Sequence, residues 1–347
     1  VDLDAEAQRR GKRLRILVTR LRYLGDVILT TPAVEALKGR YPGAEIFYAA
    51  ERPYADILEG NPHLAGVIGL RRGGRHALEA CFRLRGLDCT AAIDLFYNPR
   101  SALLLYLSGI PVRAGGARRF RRRFYTHVFT IPGGTRSAVM HHLEAMRVFD
   151  VEPKDSLPRV YLSTGEMAAG RAFLESMLGI ALPGRRILAM HPGGTWPSKR
   201  WSQESFATLA RSARERLDAE IIVLTGPGED GIAGAVEERS GGAVHVLALQ
   251  PLRRLASILA SCSALVANDG GILHMGVALG RPTVGIFGPT EPDIWFPYAG
   301  KGPFALVTHT AECAPCHRHE CESMECLVGI EPKEVLERIE EVLAWER

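Results

Sequence analysis

One carboxylate in this chain has neighbours that fit it for proton chemistry: Asp26, within Arg20-Leu-Arg-Tyr-Leu-Gly-Asp-Val-Ile-Leu-Thr-Thr-Pro32. A single carboxylate at the start of a helix can take the proton of a hydroxyl nucleophile. Aspartate at such a place is also a good helix N-cap, worth ~1 kcal/mol, and on local chemistry alone the cap is the simpler role. Four further segments combine glycine with charge. His191-Pro-Gly-Gly-Thr-Trp-Pro-Ser-Lys-Arg-Trp201 offers Gly193, Gly194 and Thr195, where backbone amides can approach an anion, and Lys199 adds a point charge. Leu224-Thr-Gly-Pro-Gly-Glu-Asp230 presents Glu229 as an acceptor for sugar hydroxyls. Asn268-Asp-Gly-Gly-Ile-Leu-His274, with Asp269, Gly270, Gly271 and His274, opens a helix whose amides and dipole suit a phosphate. Phe287-Gly-Pro-Thr-Glu-Pro292 completes the set. The Asp26 segment itself holds neither a Gly-x-Gly-x-x-Gly fingerprint nor a Walker loop. Singly these turns are weak signals; four in one half of the chain point to a nucleotide site.

These residues need elements to hold them. Residues 15–19, 45–50, 66–70 and 90–94 read as apolar strands in the first half, and 187–190, 220–225, 244–247, 264–267 and 283–287 in the second. Strands apolar on both faces and separated by helical patterns build parallel sheets from βαβ units. Residues 27–40 read as the helix after the first strand, and 332–345 as a closing amphipathic helix. Pro153, Pro158 and polar neighbours break the pattern between Asp150 and Gly165. The prediction is therefore an α/β chain of two Rossmann-like domains, at 14–158 and 166–330, with 331–347 closing it. In open parallel sheets ligands bind beyond the carboxyl ends of the strands, where all five segments fall.

The 347 residues are 46% hydrophobic with a net charge of +4, which excludes a disordered or collagenous chain. No run of about 18 apolar residues offers a membrane span, and the charged stretch 1–15 does not read as a secretory signal. Seven cysteines, an odd number, argue against a secreted disulfide scaffold, so a cytoplasmic address is expected. The charge is uneven. Residues 1–165 hold 26 Lys and Arg against 16 Asp and Glu, and the remainder 17 against 23. The front half is expected to meet something anionic: nucleic acid, a membrane surface or a phosphorylated lipid. An arginine-rich composition with only six lysines explains the abundance of arginine but not its placement.

Leu24-Gly-Asp-Val-Ile-Leu-Thr-Thr-Pro32, His191-Pro-Gly-Gly with Lys199-Arg-Trp201, Asn268-Asp-Gly-Gly-Ile-Leu-His274 and Phe287-Gly-Pro-Thr290 together resemble glycosyltransferase family 9, the ADP-heptose:lipopolysaccharide heptosyltransferases. The resemblance runs in order from about residue 14 to about residue 340. It implies a GT-B fold, two Rossmann-like domains facing across a cleft, with acceptor on the first and donor nucleotide on the second. It also implies an inverting transfer that needs no metal for chemistry. By the same resemblance Asp26 corresponds to the catalytic base, which reverses the cap preference, and Lys199 to the lysine on the donor phosphates. Glu229 corresponds to an acidic residue near the ribose, and Asp269, Gly271 and His274 to the loop around pyrophosphate and sugar. Gln250 falls where the family presents backbone near the adenine. Asp269-Gly270 and Gly193-Gly194 depart from the hydroxyl-bearing residues common there. The competing readings are another GT-B sugar transferase, a nucleotide-sugar epimerase, or a non-catalytic anion-binding module.

The densest positive charge is Arg113-Ala-Gly-Gly-Ala-Arg-Arg-Phe-Arg-Arg-Arg123. Arg118, Arg119, Arg121, Arg122 and Arg123 are expected to bind acceptor phosphates or Kdo carboxylates of a lipopolysaccharide core, which guanidinium forks match. They are also expected to dock the chain reversibly on an anionic membrane, as a peripheral protein of the inner face. A solvated loop is the plain alternative. Nucleic acid is not expected as a partner, because interleaved aromatics are sparse. Asn98 and Arg100 are further acceptor candidates by position. Cys313-x₂-Cys316-x₄-Cys321-x₄-Cys326, with His317 and His319 between, has thiols enough for structural zinc. It lacks a second Cys-x₂-Cys pair, so a reduced, metal-free loop stays equally open. Cys81, Cys89 and Cys262 read as buried apolar residues.

Overall fold

The computed structural model describes residues 1–116, 119–134 and 137–345. The chain divides into one compact unit from Val1 to Tyr161 and a second from Leu162 onward. In the first, Arg15–Thr19 (β1), Glu45–Glu51 (β2), Gly66–Leu70 (β3), Ala91–Asp94 (β4), Val112–Gly116 (β5) and His127–Phe129 (β6) form one sheet. Its order is β3-β2-β1-β4-β5-β6, and every pairing is parallel. In the second, Arg186–His191 (β7), Ala219–Leu224 (β8), His245–Leu247 (β9), Ala264–Asn268 (β10), Thr283–Phe287 (β11) and Phe304–Thr308 (β12) repeat the arrangement. That sheet runs β12-β11-β10-β7-β8-β9, again all parallel. Renumbered within its own domain, the second order is the first read from the other edge. Both are the Rossmann order, with the strand order reversing between the first and fourth strands. The predicted α/β class of two Rossmann-like parallel-sheet domains is what the chain adopts.

Strands β5, β6 and β12 add to the nine predicted from apolar pattern. β5 reads Val-Arg-Ala-Gly-Gly and β6 has three residues, so neither offers an apolar run. The predicted helix 27–40 is two helices, Leu24–Leu29 and Thr31–Arg40. They meet at Thr30, whose hydroxyl donates to the Val27 carbonyl at 2.7 Å and lies 2.6 Å from the Tyr48 hydroxyl. Pro32 lacks the N–H that would carry one helix through. An amino-terminal helix, Leu3–Arg9, packs Leu3 and Ala7 into the first unit. The last helix, Pro332–Leu343, buries Val335, Leu336, Ile339 and Val342 in the core of the second.

Candidate active site

On the N-terminal domain the chemistry gathers where the strand order reverses, beyond β1 and β4. Asp26 occupies the third position of helix Leu24–Leu29, and its N-cap is Tyr23. The cap role is therefore corrected: the Asp26 carboxylate reaches back to accept from the Tyr23 N–H at 3.0 Å, as the third residue of a capping box does. Its other oxygen accepts from the Arg20 guanidinium, and both side chains are partly buried. Arg20 also donates to the Leu95 carbonyl at 3.0 Å and lies 4.8 Å from the Phe96 ring. The β1 and β4 loops are thus braced through the same side chain that orients Asp26.

Beneath them lies a carboxylate that sequence reasoning passed over as a strand end. Asp94 is fully buried and accepts from the Phe96 and Tyr97 amides at 3.0 and 2.8 Å. It also accepts from the Thr19 and Tyr125 hydroxyls at 3.1 and 2.7 Å. Burial pushes its carboxyl up from the ordinary carboxylate range, against the pull of these bonds. An aspartate closing the apolar run Ala91-Ala-Ile-Asp94 was the available signal. Asp94 fixes loop 95–98, which ends at Asn98, one of the predicted acceptor residues. Asn98 caps helix Pro99–Leu107, accepting from the Ser101 N–H at 2.8 Å. Arg100 is engaged by Glu51 and by the Arg71 carbonyl. Arg121 donates to the Tyr97 carbonyl at 2.8 Å, whereas Arg122 and Arg123 are exposed. The backbone of Arg119 opens the turn Arg119–Phe124; Arg118 lies outside the described residues.

On the C-terminal domain the strand order reverses between β7 and β10, and the predicted loops converge there. Asn268 donates to the Pro192 and Gly193 carbonyls at 2.8 and 3.1 Å and accepts from the Trp201 N–H. Lys199 Nζ lies 2.6 Å from Asp269 Oδ2, which also accepts from the Thr290 hydroxyl at 2.6 Å. The ammonium stands 4.4 Å from the Trp196 ring. Gly270 and Gly271 open helix Gly271–Ala278. His274 is buried within it, its Nδ1 3.5 Å from the Tyr298 hydroxyl.

Glu229 joins the glycine loops 191–201 and 224–230. It accepts from the Gly194 and Gly226 N–H groups at 2.8 and 2.7 Å and meets His191 Nε2 at 3.0 Å. Burial opposes its ionisation, but the His191 and amide bonds outweigh that and hold its carboxyl down at about 2. A Cβ on Gly193 would overlap this carboxylate, so a side chain there would push Glu229 off the Gly194 and Gly226 amides. The Gly194 amide, expected to face an anion, is thereby engaged by Glu229. Thr195 is exposed at the turn, and Gln250 donates to the Ala248 carbonyl at 2.9 Å ahead of helix Leu252–Ala260.

Residues 80–327 match the family model for glycosyltransferase family 9 (heptosyltransferase). The chain belongs to that family. It is 29% identical over 325 residues to lipopolysaccharide heptosyltransferase 1 of Pseudomonas aeruginosa, covering 89% of this chain and 87% of the relative. Among solved structures, a glycosyl transferase family 9 protein from Veillonella parvula superposes with a TM-score of 0.83 at 24% identity, covering 95% of this chain and 97% of that one. E. coli ADP-heptose LPS heptosyltransferase II superposes with a TM-score of 0.79 at 23% identity, covering 95% and 98%. As a family 9 member the chain is a glycosyltransferase, and the reading as a non-catalytic anion-binding module is replaced.

The cysteine segment of this family 9 chain folds back over the loops at Ser198 and Pro289. Ser198 donates through its hydroxyl to the Arg318 carbonyl at 2.5 Å and through its N–H to the His319 carbonyl at 3.2 Å. The His319 ring stacks on Trp196 with centroids 4.0 Å apart. The Cys316 and His317 N–H groups donate to the Pro289 carbonyl. Among the described residues no group of three or more His, Cys, Asp or Glu is placed to hold a metal ion, so the zinc expectation finds no ligand set. Cys326 is buried, which raises its thiol, while the Met324 N–H holds the Cys321 thiol down. Cys89 and Cys262 are buried as predicted, with both thiols pushed up by burial to about 12, and Cys81 is half-buried. No described helix is long and apolar enough to cross a membrane.

Proposed function

We propose that the chain transfers a heptose, with inversion, from ADP-heptose to a lipopolysaccharide inner-core acceptor. The single observation that carries this reading is the Asp26 carboxylate, oriented by Arg20 and the Tyr23 amide beyond β1 in a family 9 chain. A sugar hydroxyl is a weak nucleophile near neutral pH. Asp26 takes its proton as the glycosidic bond forms, an effect worth roughly 10²–10⁴-fold. The bond from the anomeric carbon to the diphosphate breaks on the opposite face, and ADP leaves with the electron pair. Lys199 and the amides at the start of helix Gly271–Ala278 stabilise the charge that gathers on it. Asp269 orients the Lys199 ammonium toward that charge, and Glu229 holds the loops at Gly194 and Gly226 together beside it.

The lipopolysaccharide acceptor follows the activity for which the relatives are named, and the basic N-terminal half suits its phosphates or Kdo carboxylates. The same charge docks the protein reversibly at an anionic membrane surface on the cytoplasmic side. Calorimetry with ADP, UDP and GDP tests the donor, and mass spectrometry of the product from ADP-heptose and a core acceptor tests the transfer. Selective ADP binding and a heptose-sized mass increase are expected. Binding of UDP alone would overturn the donor assignment.

A further inference from the structure

One face of the N-terminal domain leaves large apolar side chains in solvent. Helices Ala77–Gly86 and Pro99–Leu107 send Ala80, Leu84, Leu104 and Leu105 into one core cluster and pack against each other, so they lie side by side over the sheet. Their opposite faces carry Leu78 and Phe82, one turn apart, and Leu103, Tyr106 and Leu107. Leu78 and Phe82 are 70% and 71% exposed, and Phe120 in the adjoining turn Arg119–Phe124 is 77% exposed. The Tyr106 and Phe124 rings meet edge to face at 5.5 Å, and Arg123 lies 5.7 Å from Phe120 and 5.8 Å from Phe124. Helix and turn therefore make one continuous surface. The exposed large apolar residues of the other domain, Met167, Leu249, Val328 and Trp345, belong to separate segments. Single exposed leucines are ordinary, but a contiguous apolar patch marks an interaction surface.

Its charge decides what it meets. The three elements carry seven arginines and one carboxylate, Glu79. Arg83, Arg100 and Arg121 turn to the Gly69 carbonyl, Glu51 and the Tyr97 carbonyl, while Arg85, Arg122 and Arg123 are exposed. We propose that this face seats its apolar side chains at the acyl boundary of an anionic lipid bilayer, with the exposed arginines on lipid phosphates. Apolar burial and attraction to anionic lipid add in interfacial binding. The inference rests on the membrane docking proposed above and adds to it an apolar contribution that salt does not screen.

The test is sedimentation of the full chain with vesicles of phosphatidylcholine alone or mixed with phosphatidylglycerol, at ionic strengths of about 0.1 M and about 1 M. The wild type should bind the mixed vesicles and keep part of that binding at high salt. Leu78→Ser/Phe82→Ser/Leu107→Ser should lose about tenfold or more in partition at both ionic strengths, with thermal melting and turnover on a soluble, delipidated acceptor unchanged. An Arg122→Gln/Arg123→Gln variant should lose only the salt-sensitive part. If the serine variant sediments like the wild type while the glutamine variant does not, apolar insertion is overturned and charge-driven docking survives. If instead the wild type is a dimer that the serine substitutions dissociate, the face is covered by a second copy and the proposal fails.

Discussion

Asp269 is held between two donors from different loops, the Lys199 ammonium and the Thr290 hydroxyl, each 2.6 Å from the same carboxylate oxygen. The pair orients a cation at the edge of the sheet before any diphosphate arrives. Removing the ammonium leaves a nearly buried carboxylate uncompensated. Lys199→Met is expected to cost about 1–3 kcal/mol of stability, less than a wholly buried pair would because the lysine is partly solvated. It should also weaken ADP binding and lower kcat together. Thermal melts and calorimetry check both. ADP affinity equal to wild type would reduce Lys199 to a structural partner of Asp269.

Asp26→Asn separates positioning from proton transfer. The asparagine oxygen can still accept from the Tyr23 N–H, and Arg20 keeps the Leu95 carbonyl. Stability should fall by about 1 kcal/mol or less, ADP affinity should hold, and kcat should drop roughly 10²–10⁴-fold. Steady-state kinetics beside calorimetry reads this directly. Turnover preserved in the variant would remove Asp26 from the base role.

The depressed carboxyl of Glu229 makes the C-terminal domain acid-sensitive in a definite window. Its ordinary value is 4.5 and the fold holds it at about 2. The ionised form therefore contributes stability in full above pH 4.5, and that contribution is lost as pH falls through the interval toward 2. Glu229→Gln should lower the melting temperature near neutral pH and flatten the acid limb of its pH profile. An acid limb parallel to that of the wild type would show that other carboxylates set it.

The arginines of the turn Arg119–Phe124 divide by what they touch. Arg122 and Arg123 are exposed, so Arg122→Gln/Arg123→Gln should raise the acceptor KM and leave ADP affinity unchanged. Arg121 is committed to the Tyr97 carbonyl, and Arg121→Gln should loosen loop 95–98 and lower thermal stability slightly. Equal effects of the two variants on acceptor KM, with no difference in melting, would contradict this division.

Much of the fold was legible because fully buried parallel strands such as Ile187-Leu-Ala-Met190 and Ala264-Leu-Val-Ala267 write themselves as apolar runs. β5 escaped that rule. Gly115 leaves room for the Tyr125 ring that bonds Asp94, so a glycine stands where an apolar side chain would have marked a strand. The site was legible as loops beyond strand ends, and less so as partnerships. Glu229 reads in sequence as an acceptor free for a sugar, yet it closes two glycine loops. Arg100 and Asn98 read as acceptor contacts, yet they engage Glu51 and the start of a helix. Arg100 with Glu51 and Glu229 with Gly194 are far apart along the chain and leave no mark on local spacing, whereas Asn98-Pro99, with Asn98 three residues before Ser101, is a cap that local spacing could have shown.

The return of residues 318 and 319 onto Ser198 and Trp196 sets an order of events during synthesis. A chain leaving the ribosome amino terminus first releases Asp26 with nearly all of its sheet long before it releases the brace on the Lys199 loop. Domains fold as units in that order. The N-terminal sheet is complete early, whereas the loop around Ser198 and Trp196 gains its last contacts only when the cysteine segment has emerged.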